Sequence, residues 1–64
     1  MTKDAQKLHD ELTRNGYNTP RDIAANLGWD EVAFDSARLE LEDAGYTVHQ
    51  GVRTDSYGMQ VVWL

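Results

Sequence analysis

The chain has 64 residues, of which 41% are hydrophobic and 27% charged, so a single small globular domain over residues 1–64 is predicted. The absence of cysteine excludes a disulfide framework, a thiolate zinc site and a cysteine nucleophile, and the net charge of −5 argues against nucleic-acid binding through bulk charge. No apolar run approaches the roughly 18 residues of a transmembrane helix and residues 1–6 lack the apolar stretch of a signal peptide, so we expect a cytoplasmic protein with no membrane contact.

Start and stop signals divide the first two thirds of the chain into three helices. Residues 3–14 are predicted to form the first helix, which an Asn-Gly pair ends. Thr19 is the expected N-cap of a second helix, since proline follows it at the first helical position, and Gly28 ends that helix. Asp30 is the expected N-cap of a third helix that continues to about Ala44.

Apolar residues at helical spacing mark one buried side on each of these helices. The expected core positions are Ala5, Leu8 and Leu12 in the first helix, Ile23, Ala24 and Leu27 in the second, and Phe34, Ala37, Leu41 and Ala44 in the third. The large aromatic residues expected in the core beside Phe34 are Trp29, Tyr46 and Trp63.

The remainder of the chain has the two-residue period of β-strands. Over 46–50, Tyr46 and Val48 alternate with Thr47 and His49. Over 59–64, one face of the expected strand would hold Met59, Val61 and Trp63 and the other Gln60, Val62 and Leu64, and residues 51–58 form a loop bounded by glycines. Because the two strands are joined locally, they are predicted to form an antiparallel hairpin. The predicted fold is therefore α+β, with three helices followed by a C-terminal β-hairpin.

Several of these segments resemble a known family. Residues 19–29, with the sequence TPRDIAANLGW, resemble the first helix and turn of a winged helix-turn-helix domain of the small prokaryotic or phage type. Residues 30–44 resemble the recognition helix of that family, and LEDAGY at 41–46 resembles the end of that helix where it leads into the wing. The hairpin at 46–63 would be the wing. The resemblance covers residues 3–64 and implies a winged-helix fold.

The resemblance also implies a DNA-binding transcriptional regulator. In this family the third helix usually lies in the major groove of double-stranded DNA, and the wing touches the backbone or the minor groove. The residues that would contact DNA are Thr19, Arg21, Ser36, Arg53 and Tyr57. Tyr57, an aromatic residue at the tip of the wing, would insert into a groove or into a pocket of a partner, or would fold back on the hairpin.

The third helix departs from the family where DNA would be read. It contains six acids, Asp30, Glu31, Asp35, Glu40, Glu42 and Asp43, against the single base Arg38, whereas acids and bases balance in the rest of the chain. Phosphate contacts supply most DNA affinity and require lysine or arginine, so an acidic helix at this position favours a different partner.

The side of the third helix opposite its core stripe suggests what that partner would be. This side contains Val32, Asp35, Ser36, Leu39, Glu40 and Asp43, with the two apolar residues two turns apart. An apolar centre ringed by acids is typical of a surface that binds a protein with a cationic surface, as an adaptor or a DNA-mimic-like inhibitor does. Three alternatives stay open: a solvated face that binds nothing, a different helical phase that buries Leu39, and DNA binding. Pairing of two copies is also left open.

No enzymatic activity, metal site or cofactor is predicted. The two histidines, His9 and His49, lie on different elements without ligand spacing. Ser36 and Ser56 have no accompanying base and oriented pocket that would make either of them a nucleophile.

Overall fold

A computed structural model of the chain describes residues 1–53 and 58–64, and these residues form three helices followed by a two-stranded antiparallel sheet. The elements are α1 (Lys3–Asn15), α2 (Pro20–Leu27), α3 (Glu31–Asp43), β1 (His49–Arg53) and β2 (Met59–Trp63). The predicted α+β class and the predicted order of elements are confirmed. None of these described helices combines the length and the apolar character that crossing a membrane requires.

The helix boundaries follow the capping residues. The Thr19 hydroxyl accepts a hydrogen bond from the Asp22 backbone N–H at 3.1 Å, which satisfies one of the free donors at the start of α2. The Asp30 carboxylate does the same for the Ala33 N–H of α3 at 2.8 Å. Gly28 ends α2 in the left-handed conformation at φ 69°, which a residue with a side chain adopts only at an energetic cost. The predicted caps are therefore confirmed.

The first strand begins later than predicted. Residues 46–50 were expected to be extended, but the Tyr46 N–H still donates to the Leu41 carbonyl at 3.3 Å and the Gly45 N–H to the Glu42 carbonyl at 3.0 Å. These bonds satisfy the last carbonyls of α3, so the chain becomes a strand only at His49. β1 then continues to Arg53, through residues that were predicted to begin the loop.

One residue outside the two strands also pairs with the sheet. β1 pairs with β2 in a register that places His49 opposite Trp63, and Asn18 pairs with Val62 on the other edge of β2. The Asn18 N–H donates to the Val62 carbonyl at 3.0 Å, and the Val62 N–H donates to the Asn18 carbonyl at 2.6 Å. The link between α1 and α2 is thereby held against the C-terminal strand.

One core cluster joins the helices to the sheet, with α1 packed chiefly on α3. Its buried members are Ala5, Leu8, Leu12, Ile23, Phe34, Ala37, Leu41, Val48 and Val62, and the half-buried Leu27, Trp29 and Leu64 pack against it. Most of the predicted stripe residues are therefore in the core. The predictions for Ala44 and Tyr46 are wrong, since both are exposed where the chain turns away from α3.

Burial does not alternate along β2. Val61 and Val62 are both buried, although neighbouring residues of a strand point to opposite faces. Val62 joins the core cluster under the helices. Val61 lies on the other face, opposite Gly51 and on the same side as Trp63, so β2 buries a residue on each face.

Candidate functional site

The third helix presents two opposite faces. Phe34, Ala37 and Leu41 are buried against the other helices and the sheet. At 100° per residue, this stripe places Val32 and Leu39 on the opposite side, and their side chains are 73% and 57% exposed. The helical phase deduced from the sequence is therefore the observed one, and Leu39 is not a core residue.

We call the exposed side of this helix the α3 outer face. It consists of Val32, Asp35, Ser36, Leu39, Glu40 and Asp43, all of which are exposed. The structure thus brings all six residues predicted for partner binding onto one helix surface. The two apolar residues lie near the middle of this surface, with Asp35 on one side and Glu40 on the other.

The single base of α3 is already engaged by acids of the same helix. Arg38 Nη1 donates to Glu42 Oε1 at 3.1 Å, and Arg38 Nε lies 4.0 Å from Asp35 Oδ1. The Thr2 hydroxyl donates to the Glu40 carboxylate, a neutral contact that leaves the negative charge in place. The α3 outer face is consequently acidic, with an apolar centre.

A groove of about 430 Å³ lies between α2, α3 and the hairpin. Its charged lining residues are Arg21, Glu31, Asp35 and Arg38, and Gln50 and Gln60 lie on the sheet side. The two arginines are matched by two carboxylates, so this groove has no excess of positive charge to attract phosphates.

The residues that would contact DNA lie on different elements in the described part of the chain. The Thr19 hydroxyl is occupied as the cap of α2, whereas Arg21 is exposed beside the groove and Ser36 is exposed on α3. Arg53 lies at the end of β1, with its guanidinium carbon 4.1 Å from the centre of the Tyr17 ring. Tyr57 lies outside the described residues.

The histidines make contacts within the fold. His9 meets the edge of the Tyr46 ring at 4.9 Å, and its Nδ1–H donates to Asp10 Oδ1 at 3.2 Å. This hydrogen bond, with a second from the Gln6 side chain at 2.9 Å, lowers the pKa of Asp10. Within residues 1–53 and 58–64, no three His, Asp or Glu side chains lie where they could hold a metal ion together.

A buried carboxylate escaped the sequence reasoning. Glu11 of α1 is only 2% exposed; its Oε1 accepts from the Asn26 side chain of α2 at 3.1 Å, and Arg14 also donates to it. The position of Glu11 in the sequence could have indicated its burial. Glu11 follows Leu8 by three residues and precedes Leu12, so it lies on the apolar stripe of the helix. An acid at such a position needs a hydrogen-bond partner from a neighbouring element.

A row of ring and cationic side chains on the hairpin was also missed. Arg53 lies over Tyr17, Tyr17 meets Trp63 edge-to-face at 5.4 Å, and Trp63 stacks on His49 at 5.6 Å with an interplanar angle of 18°. We call these four residues the hairpin aromatic row.

Comparison of the chain with known protein families, with curated proteins and with solved structures finds no match.

Proposed function

We propose that the protein is a small, non-catalytic winged-helix regulatory module that binds a protein partner with a cationic surface through the α3 outer face. The observation that carries this proposal is the exposure of Val32 and Leu39 within an acidic helix surface. The order of three helices and a C-terminal hairpin supports the winged-helix part of the proposal. An adaptor, or an inhibitor that mimics DNA, would use this surface in the same way.

The two kinds of side chain on this face have different tasks. Val32 and Leu39 would be covered on binding, and burial of apolar area contributes about 25 cal/mol per Å². The surrounding carboxylates would accelerate association with a positively charged protein and orient the complex. That contribution is screened by salt, so the association rate should fall as ionic strength rises.

The alternative function is DNA binding by a winged helix-turn-helix regulator. Arg21 favours it, because this side chain is exposed on α2 beside the groove next to α3. If double-stranded DNA is the ligand, replacing Arg21 and Arg53 with alanine should abolish binding and reduce the slope of affinity against salt by about two units. If the ligand is a cationic protein, the same two changes should have little effect.

Charge reversal on α3 separates the two functions. The partner is first captured by cross-linking, identified and repurified. In calorimetry, the variant Asp35→Lys/Glu40→Lys/Asp43→Lys should then no longer bind this partner. The same variant should gain affinity for random duplex DNA in a gel shift at low salt, whereas we expect none for the unaltered chain. Unchanged partner affinity with unchanged salt dependence would refute the proposal.

A matched control keeps net charge from explaining the result. The variant Asp4→Lys/Asp10→Lys/Asp22→Lys reverses three exposed acids on α1 and α2, so its net charge equals that of the α3 variant. Partner affinity should survive in this control. Equal losses in both variants would assign the effect to total charge rather than to the α3 outer face.

A further inference from the structure

The hairpin aromatic row is assembled from three separate segments of the chain. Tyr17 comes from the link before α2, His49 and Arg53 from the two ends of β1, and Trp63 from the end of β2. Centres of consecutive members are 4.1, 5.4 and 5.6 Å apart, so the row is continuous from the guanidinium to the imidazole. It is distinct from the α3 outer face, with which it shares no residue.

The backbone holds this row in place before any ligand arrives. Tyr17 precedes Asn18, whose paired hydrogen bonds with Val62 fix the link to β2. The Trp63 ring lies across Gly51, where an added Cβ would be 3.1 Å from the ring atom Cη2. A glycine in the middle of β1 therefore leaves room for the indole of Trp63 beside the strand.

Three of the four members of the row, His49, Arg53 and Trp63, lie in the least acidic part of the sequence. Ten of the eleven carboxylates lie between residues 4 and 43, and residues 45–64 contain only Asp55. The Tyr17 side chain is 54% exposed and His49 is exposed as well. Ring surface open to solvent, next to the positive charge of Arg53, matches a ligand with flat aromatic groups and negative charge.

We propose that the hairpin aromatic row binds single-stranded nucleic acid. Bases would stack on the exposed rings of Tyr17 and His49, and the charge of Arg53 would attract the neighbouring phosphates. Stacking tolerates any sequence, because every base has an aromatic face. A duplex hides those faces within its own stack, so the row selects single strands. With one arginine involved, log affinity should fall against log salt with a slope of only about −0.7.

The test uses the intrinsic fluorescence of Trp63. In a Trp29→Phe background, oligodeoxythymidine of about 10 nucleotides should quench the remaining indole, and a duplex of the same length should not. An oligomer of abasic sites with the same number of phosphates separates stacking from charge. It should bind at least about 5-fold more weakly than oligodeoxythymidine, the lower limit for loss of one stacked base.

Substitutions locate the contact on the row. Tyr17→Leu keeps an apolar side chain and should weaken oligodeoxythymidine binding by about 5- to 150-fold, the range for removing one base–aromatic stack. The matched control is Tyr46→Leu, which alters a second exposed tyrosine of the described residues, located against His9, and should leave the affinity unchanged.

Each outcome decides the proposal. Quenching by oligodeoxythymidine that is lost in Tyr17→Leu and retained in Tyr46→Leu supports it. Equal binding of the abasic oligomer, equal binding of the duplex, or no quenching overturns it. If Tyr17→Leu fails to fold, the comparison of the three oligomers on the tyrosine-containing chain still gives the answer. None of these measurements depends on the α3 outer face, so the two proposals fail independently.

Discussion

Replacing Asn26 with alanine tests how much the side-chain amide of Asn26 stabilises the fold through its hydrogen bond to the buried carboxylate of Glu11. Asn26 is exposed, but its side chain donates at 3.1 Å to Glu11, which is 2% exposed. A hydrogen bond to a buried charged group contributes about 1.5–3 kcal/mol. Alanine recovers about 0.6 kcal/mol through its better helix propensity. We therefore expect a net loss of about 0.9–2.4 kcal/mol in the free energy of unfolding.

Urea denaturation measures this loss. Arg21→Ala is the control, because Arg21 is exposed on the same helix and the helix propensity of arginine is close to that of alanine. Substitutions at ordinary surface positions change stability by less than about 0.5 kcal/mol. In a Glu11→Gln background, which removes the charge and keeps the shape, Asn26→Ala should cost less, and the difference gives the coupling energy. A cost for Asn26→Ala no larger than that for Arg21→Ala would refute the reasoning.

Three further predictions concern α3 and α1. Leu39→Asp should change the free energy of unfolding by less than about 0.5 kcal/mol, because the side chain is exposed. Leu41→Ala, at a fully buried position, should cost about 2–5 kcal/mol in the same urea titration, and similar losses in both variants would contradict the assigned helix phase. The depressed pKa of Asp10 makes its ionised form stabilising above the ordinary range of aspartate, and that stabilisation disappears as pH falls through the lowered pKa. His9→Ala removes the main cause, so the carboxylate titration followed by NMR should move upward towards an ordinary aspartate.

Local signals in the sequence predicted the helices well because their causes are local. The Thr19 and Asp30 caps each satisfy a backbone donor three residues away. The start of β1 was misplaced because the Tyr46 amide remains bound to the end of α3, a contact that an alternating pattern does not reveal. Periodicity indicates which face of an element a side chain occupies. It does not indicate which backbone N–H groups still donate to carbonyls at the end of the preceding helix.

The same distinction applies to the two surfaces. The exposure of Val32 and Leu39 follows from the phase of a single helix, so the α3 outer face was predictable. The hairpin aromatic row depends on Tyr17 and Trp63, which are 46 residues apart in the sequence and meet because the Asn18–Val62 pairing joins their segments. The buried Glu11 likewise depends on an amide from another helix. Sequence patterns within one element contain no information about such meetings.

The pairing of Asn18 with Val62 has a consequence for the order in which the protein folds. It joins a residue that precedes α2 to one near the end of β2, so the chain between them forms a loop that closes late and at an entropic cost. All three helices precede Val62 in the chain, so helices that form before β2 is in place lack the valine on which they pack. We expect the chain to acquire protease resistance only once Val62 has paired with Asn18 and completed the core.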